Sequence, residues 1–210
     1  MIRKFTRVSL ERFLAAHASE ERTLDIGSGG SAYDRFFPNR VTVDIDPARE
    51  PQVVADAHEL PFADESFSLI LCTEVLEHLS DPPKAIAEMH RVLQARGKLI
   101  LTTRFMYPLH DVPHDYFRYT SFGLQHILRD WRDVTIVPEM TTMSTFGVLL
   151  QRLVLQSDLR GGRMTKAVFM ALALLYTKLD WLVKAEYGDI RHTHEMKNVF
   201  SSGYYVTARK

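Results

Sequence analysis

The chain has 210 residues, enough for one sizeable hydrophobic core and short for two independent ones. Hydrophobic residues make up 46% and charged residues 25%, a globular composition, and 26 basic against 26 acidic side chains leave no broad positive field for non-specific nucleic-acid binding. The lone cysteine, Cys72, excludes an intrachain disulfide and a cysteine-based zinc site and suits a reducing, cytoplasmic setting.

At the start, charge interrupts Met1-Ile-Arg-Lys-Phe-Thr-Arg before an apolar run of signal-peptide length develops, so no targeting segment is expected. Short apolar, β-branched runs then recur at Arg22–Ile26, Val41–Ile45, Gln52–Asp56, Phe67–Cys72 and Lys98–Thr103. Between the last two, Pro82–Leu93 sets Ala85, Ile86, Met89 and Val92 at helical spacing, with Ser80-Asp81-Pro82-Pro83 as its start signal and Gly97 as its stop. Strands alternating with helices predict βαβ units in an open, mostly parallel α/β sheet with right-handed crossovers. Val134–Val137 and Gly203–Ala208 read as two further strands. The residues between them read as helix over 144–156 and 164–186, so 144–200 is expected to be a helical insertion before the final strand of a single domain, 1–210. The longest uncharged apolar stretch, Ala167–Thr177, has 11 residues, against the roughly 20 that a spanning helix needs.

Ligands of open α/β sheets bind outside the carboxyl ends of the strands, where strand order reverses. The first strand runs into Asp25-Ile26-Gly27-Ser28-Gly29-Gly30-Ser31, where glycines permit a sharp turn and close approach of the backbone to a ligand. Asp44 ends the second strand 17 residues after Gly27, the spacing of a carboxylate that reaches a ribose diol. Two hydroxyls donating to it would each contribute roughly 1.5–3 kcal/mol. Pro47 places Asp46 in a turn already begun, so Asp44 is preferred. Asp56 puts a further acid at the end of the third strand.

These residues resemble the class I S-adenosylmethionine-dependent methyltransferases, in particular the small-molecule group related to the quinone-biosynthetic enzymes. Asp25–Gly30 is similar to the first motif of that family, Asp44 to its ribose acid and Ala55–Ile70 to its adenine-side motif. Glu74-Val-Leu-Glu-His78-Leu and Glu88–Ile100 are similar to the stretch leading into its fifth strand, and the likeness covers about residues 20 to 104. It implies a Rossmann-like sheet of seven strands, mostly parallel with the last antiparallel, helices on both faces, and the insertion before the final strand. It also implies S-adenosylmethionine as cofactor. Asp25, Gly27, Ser28 and Gly29 would lie at its amino-acid end, Asp44 and Ile45 at the ribose, and Asp56 and Ala57 at the adenine, with Thr73 completing the set. One position departs from the pattern: Ser31 stands for the third glycine, and is small. A rival reading remains, because Gly27-x-Gly29-x-x-Ala32 also approximates a nicotinamide-dinucleotide fingerprint. Asp25 is awkward beside a pyrophosphate and favourable beside a sulfonium.

Acceptor-side groups are expected after the fourth and fifth strands. His78 lies in the first of these segments, and Tyr107–Thr120 supplies His110, His114 and Tyr116. A histidine is suited to base catalysis near neutrality. The bland reading makes Pro108, Pro113 and the aromatics stiffeners of a loop, with Asp115 and Arg118 as a local ion pair. Pro113–Thr120 is similar to a signature of a methyltransferase subgroup associated with bacterial surface polysaccharides, which implies a sugar-containing or lipid-linked acceptor alongside the quinone type. Cys72-Thr-Glu-Val stands where amino-group methyltransferases carry an Asn/Asp-Pro-Pro-aromatic motif, and an oxygen-bearing acceptor is expected. His192 and His194 have no third ligand in register, so no metal is expected. Between Met164 and Glu186 an apolar circumference is broken by a stripe of Lys166, Thr177, Asp180 and Lys184. Such a helix suits packing or a lid, peripheral contact with the inner membrane face, or a homodimer through 144–186. A non-catalytic protein binding a partner through this insertion is the alternative from another class.

Overall fold

Alternating apolar runs and amphipathic segments build a layered α/β arrangement in the computed structural model, which describes residues 3–30 and 33–210. In chain order the elements are α1 (Phe5–Ala16), β1 (Thr23–Ile26), β2 (Arg40–Asp44), β3 (Val53–Val54), β4 (Phe67–Thr73), α2 (Pro82–Val92), β5 (Leu93–Arg104), α3 (Ser121–Ile127) and β6 (Arg132–Pro138). They continue as α4 (Thr142–Gln156), α5 (Gly162–Tyr176), two short strands β7 (Glu186–Tyr187) and β8 (Glu195–Met196), and β9 (Gly203–Arg209). Seven strands form one sheet in the order β3-β2-β1-β4-β5-β9-β6.

β1 is third in that order, beside the central β4, and parallel to both neighbours, with Leu24 level with Val41 and Ile70, and Ile26 level with Val43 and Cys72. All four residues of β1 are buried, Asp25 among them, as are six of the seven of β4, whose sequence reads as a near-continuous apolar run. β9 runs against β5: the Lys210 N–H donates to Gly97 O at 3.2 Å, and the Phe105 N–H to Ser202 O at 2.9 Å. The sheet is thus mostly parallel with the last strand antiparallel. The chain adds β2 and β3 on one side of β1 and then returns to add β4 on the other. Strand order reverses between β1 and β4, and the loops leaving their carboxyl ends form the crevice where a ligand would sit.

Two element boundaries differ from the sequence expectation. α2 ends at Val92, and Leu93 already begins the next strand. Arg96, at φ +64°, and Gly97 form an irregularity within β5 rather than a helix stop. The second insertion helix ends at Tyr176, not near residue 186, so Asp180 and Lys184 lie beyond it. The Asp180 carboxylate instead accepts from the Thr141 hydroxyl and from the Ser144 N–H and hydroxyl, at 3.3 and 3.1 Å for Ser144. A carboxylate from downstream in the chain therefore satisfies the first turn of α4, whose own N-cap residue makes no capping bond.

The residues group into two compact units. One comprises Phe13–Arg104, Leu109–Val137 and Tyr204–Lys210 and holds nearly all of the sheet. The other comprises the N-terminal residues through Arg12, residues 105–108 and Pro138–Gly203. Within it α4 and α5 cross closely at Gly147, where a Cβ would come 2.7 Å from the Ala173 carbonyl oxygen. Gln151 of α4 accepts from the Phe5 N–H at 2.9 Å and donates to Arg3 O at 3.2 Å. No helix of the described residues is long and apolar enough to cross a membrane.

Candidate functional site

The turn after β1 is built from left-handed backbone: Gly27, Gly29 and Gly30 have φ of +64°, +53° and +69°. At Gly27 the requirement is double, because a Cβ there would also lie 2.3 Å from Cγ2 of Val75, in the loop after β4. That contact fastens the two switch-point loops together. Among the described residues nothing lies within 4 Å of the Cβ position of Gly30. Ser31 and Ala32 fall outside the described residues.

Asp44 closes the turn from β2. Its Oδ2 accepts the Gly29 N–H at 2.9 Å and its Oδ1 the Asp46 N–H at 3.0 Å. Each oxygen retains lone-pair capacity for an incoming hydroxyl. Asp46 points elsewhere: it accepts from the Ala48 N–H at 2.9 Å and pairs with Arg49 at 3.6 Å. Ile45 beside it is 68% exposed, an apolar side chain presented to solvent at the sheet edge. Asp56 accepts the His58 N–H at 2.9 Å and faces the ring Nδ1. His58 Nε2 accepts the Asp81 N–H at 3.1 Å, so the ring proton sits on Nδ1, toward Asp56. Burial works against the Asp56 carboxylate, but the bonds from His58 outweigh it and hold the group below its ordinary range. Ala57, Ser28 and Thr73 are buried against these loops.

Asp25 stands apart from that open face. It is fully buried beneath the turn and ion-paired with Arg40, which also binds Asp34 at 3.0 Å. Burial pushes its carboxyl up to about 7, against the pull of Arg40. Asp25 therefore lies beneath the turn with Arg40 as its partner. Arg40, opposite Thr23 in the β1–β2 register, was no part of the sequence reading. The signal was a carboxylate in a strand buried on both faces, which demands a cationic partner.

On the other side of Val75, the loops after β4 and β5 converge. Glu77 is fully buried; its Oε2 accepts from the Thr103 hydroxyl at 2.7 Å, and its Oε1 has no hydrogen-bond partner. Burial raises its pKa to about 7. His110 Nε2 lies 3.9 Å from that Oε1, and the His110 and His78 rings meet edge to face with centroids 4.7 Å apart. Burial pushes His110 down to about 4, against the pull of Asp115. Asp115 in turn is held well below the carboxylate range by Arg118, which donates two bonds of 2.6 and 2.7 Å. The expected Asp115–Arg118 ion pair is present, and it also fixes His110, whose N–H donates to Asp115 at 2.9 Å.

His78 Nδ1 donates to His114 O at 2.6 Å, while the exposed His114 ring pairs with the Tyr116 hydroxyl at 3.0 Å. The backbone N–H groups of Tyr116 and Phe117 donate to Glu77 O, at 2.9 and 3.1 Å. His78 and His110 therefore meet beside Glu77, which the sequence reading quoted in a motif without assigning it a part, whereas His114 and Tyr116 join through backbone groups and carry exposed side chains. Tyr107 belongs to the other unit, beneath the Arg152 guanidinium.

Glu77, His78 and His110 bring ligating atoms within 4.8 Å of one another. Ligands on one cation with bonds of about 2.1 Å sit about 3.5 Å apart. Glu77 and His110, at 3.9 Å, are set somewhat wider than a metal requires. His192 stacks on Tyr187 and His194 pairs with Asp189 at 3.2 Å, so those two histidines have separate partners. A cleft of about 460 Å³ opens at the amino-terminal edge of the sheet, lined by His17, Lys98 and Arg209, at the opposite end from the glycine turn.

Residues 24–101 match the family described as a methyltransferase domain. An uncharacterized protein of Methanocaldococcus jannaschii is 34% identical over 96 residues, 42% of this chain and 47% of that protein. A ubiquinone/menaquinone biosynthesis C-methyltransferase of Psychromonas ingrahamii is 39% identical over 72 residues, 34% of this chain and 28% of that one. The chain spans less than half the length of these curated relatives. Among solved structures, a SAM-dependent methyltransferase from Archaeoglobus fulgidus superposes with a TM-score of 0.58 at 17% identity, over 97% of this chain and 92% of that one. That likeness carries the fold. The glycine turn, the acid at the end of β2 and the switch point all lie within residues 24–101, the segment that is similar to a methyltransferase domain.

Proposed function

We propose that this chain transfers a methyl group from S-adenosylmethionine to an oxygen of a small or lipid-linked acceptor of sugar or quinone type. The observation that carries the reading is the contact of Val75 on Gly27, which sets the glycine turn beside the Glu77–His110 cluster. The residues suit the cofactor. Among the described residues nothing fills the space beside Gly30, and exposed apolar Ile45 follows the carboxylate of Asp44, with Asp56 at the end of the adjacent strand β3. Gly27, Ser28 and Gly29 would face its amino-acid end, Asp44 and Ile45 its ribose, and Asp56 with Ala57 its adenine; Asp25 would act through the turn. When bound, S-adenosylmethionine would supply an electrophilic methyl carbon open to in-line attack by the acceptor oxygen, with the C–S bond breaking and S-adenosylhomocysteine as the leaving group.

The chain's own residues then handle the proton. His110, held neutral, presents a lone pair to the acceptor hydroxyl, while Glu77, with its pKa of about 7, is the group whose proton affinity suits a base near neutrality. The 3.9 Å between them would close when the acceptor binds. His78, His114 and Tyr116 line the approach and orient the acceptor. The quinone assignment draws on relatives such as the Psychromonas ingrahamii C-methyltransferase, over the matched segment alone, and that relative supports the acceptor class and not the oxygen.

Calorimetric titration with S-adenosylmethionine, S-adenosylhomocysteine and NAD in parallel tests the reading. Binding of the two adenosyl compounds at micromolar affinity is expected, with a loss of about 10- to 150-fold in Asp44→Ala, equivalent to 1.5–3 kcal/mol. Binding of NAD alone, or unchanged affinity in Asp44→Ala, would overturn it.

A further inference from the structure

We infer that the outward half of α5 is a docking face for an anionic lipid surface. From Met164 to Leu175 every exposed position of this helix is apolar. Met164, Val168, Leu172 and Leu175 are 81%, 58%, 39% and 50% exposed, at spacings of four, four and three residues that align them along one side. Trp181 and Leu182, just past the helix, extend the apolar surface at 76% and 53% exposure. Soluble surfaces seldom leave an apolar stripe of this kind uncovered.

The charge around the stripe selects its occupant. The chain is neutral overall, yet residues 160–184 hold five basic side chains, Arg160, Arg163, Lys166, Lys178 and Lys184, and one acid, Asp180, a net +4. Asp180 is turned onto Thr141 and Ser144 at the start of α4, and Lys166 pairs with Asp158 at 3.8 Å, so the cations that frame the stripe are Arg160, Arg163, Lys178 and Lys184. Arg160 and Arg163 stand exposed at one end, and Lys178 and Lys184 at the other. A second copy of the chain is a poor match. A two-fold pairing lays the patch on itself and would set Arg163 and Lys178 of one copy against the same cations of the other. An anionic bilayer surface complements both features: headgroups neutralise the basic ends, and the apolar stripe enters the boundary between headgroups and acyl chains. A tryptophan at the end of such a helix sits at interfacial depth. α5 has 15 residues, too short to cross, so the helix would lie in the plane of the surface.

Co-sedimentation of the full chain with vesicles of phosphatidylcholine, pure or containing phosphatidylglycerol, decides the matter. Binding to the anionic vesicles and not the neutral ones is expected, weakening as salt rises. The double variant Lys178→Glu/Lys184→Glu changes exposed side chains only and is expected to bind at least 25-fold more weakly, about fivefold for each charge removed. Trp181 emission should shift to the blue on binding, and the shift should vanish in Trp181→Phe while sedimentation persists. Absence of binding to anionic vesicles, or binding indifferent to the charge reversals, would overturn the inference. Self-association that the same variants abolish, measured by analytical ultracentrifugation, would give the face to a second copy. None of these readouts depends on cofactor binding, so the methyl-transfer reading stands or falls separately.

Discussion

Gly27 carries two constraints at once, a left-handed backbone and a side-chain position already taken by Val75. Gly27→Ala is expected to destabilise the fold by about 2–4 kcal/mol in urea titration, the sum of the φ penalty and the steric overlap. Trimming the neighbour in Gly27→Ala/Val75→Ala should recover the steric part and leave about 1–2 kcal/mol of backbone cost. Full recovery would mean that the loop tolerates an ordinary backbone there. Glu77 permits a sharper test. Its carboxyl keeps its proton in the fold up to about pH 7, whereas the unfolded chain releases it near 4.5. The native state therefore binds the extra proton between those values, and stability is lost as pH rises through that window. Glu77→Gln has no proton to lose. At pH 8 it is expected to be more stable than the parent by about 2–3 kcal/mol, and at pH 4.5 about equal, in thermal unfolding at the two pH values. Equal stability at both would mean that Glu77 ionises freely where it is buried. His110 acts in the opposite direction: the fold favours its neutral ring, so its contribution to stability is lost as pH falls from 6.5 toward about 4.

Among the elements, the clearest prediction concerns α4. Its first turn depends on Asp180, 36 residues beyond Ser144 in the chain. Asp180→Ala is expected to cost about 1–2 kcal/mol and to speed hydrogen exchange at the Ser144 amide, while α2, capped by its own Asp81, is unaffected. The same residue explains why periodicity overran the helix before it. Leu179, Trp181, Leu182 and Val183 prolong an apolar pattern, so the segment reads as continuous helix to residue 186. The chain leaves helical conformation after Tyr176 because Asp180 is drawn onto α4, a tertiary demand that hydropathy does not encode. The seven strands of the sheet were legible, since each is a short β-branched run flanked by turn residues. Their order and the antiparallel β9 came from family resemblance, not from the pattern. β5 began five residues earlier than its apolar core, because Arg96 accommodates the irregularity in a conformation that glycine was expected to supply.

Across the whole molecule, what the sequence concealed is what joins distant segments. The carboxylates at the ends of β2 and β3 follow from spacing alone, but the partnership of Asp25 with Arg40 requires the strand register. The gathering of His78 and His110 around Glu77 requires the loop after β4 to meet the end of β5, 26 residues apart at Glu77 and Thr103. Gln151 holding the backbone at Phe5, 146 residues away, is likewise invisible to any local pattern. Whole-chain charge concealed something as well, because a sum of zero contains the basic run of residues 160–184.

Cys72 lies in β4 between Ile26 and Leu101, fully buried, and burial pushes its thiol well above the ordinary range. Since it is the only cysteine, the chain carries a built-in clock. A thiol reagent can modify it only when the centre of the sheet opens, so the labelling rate under native conditions reports the frequency of that opening. A cysteine introduced at an exposed position such as Ile190 would react long before it. The molecule is thus ready for single-site attachment of a dye or spin label without removal of the native thiol.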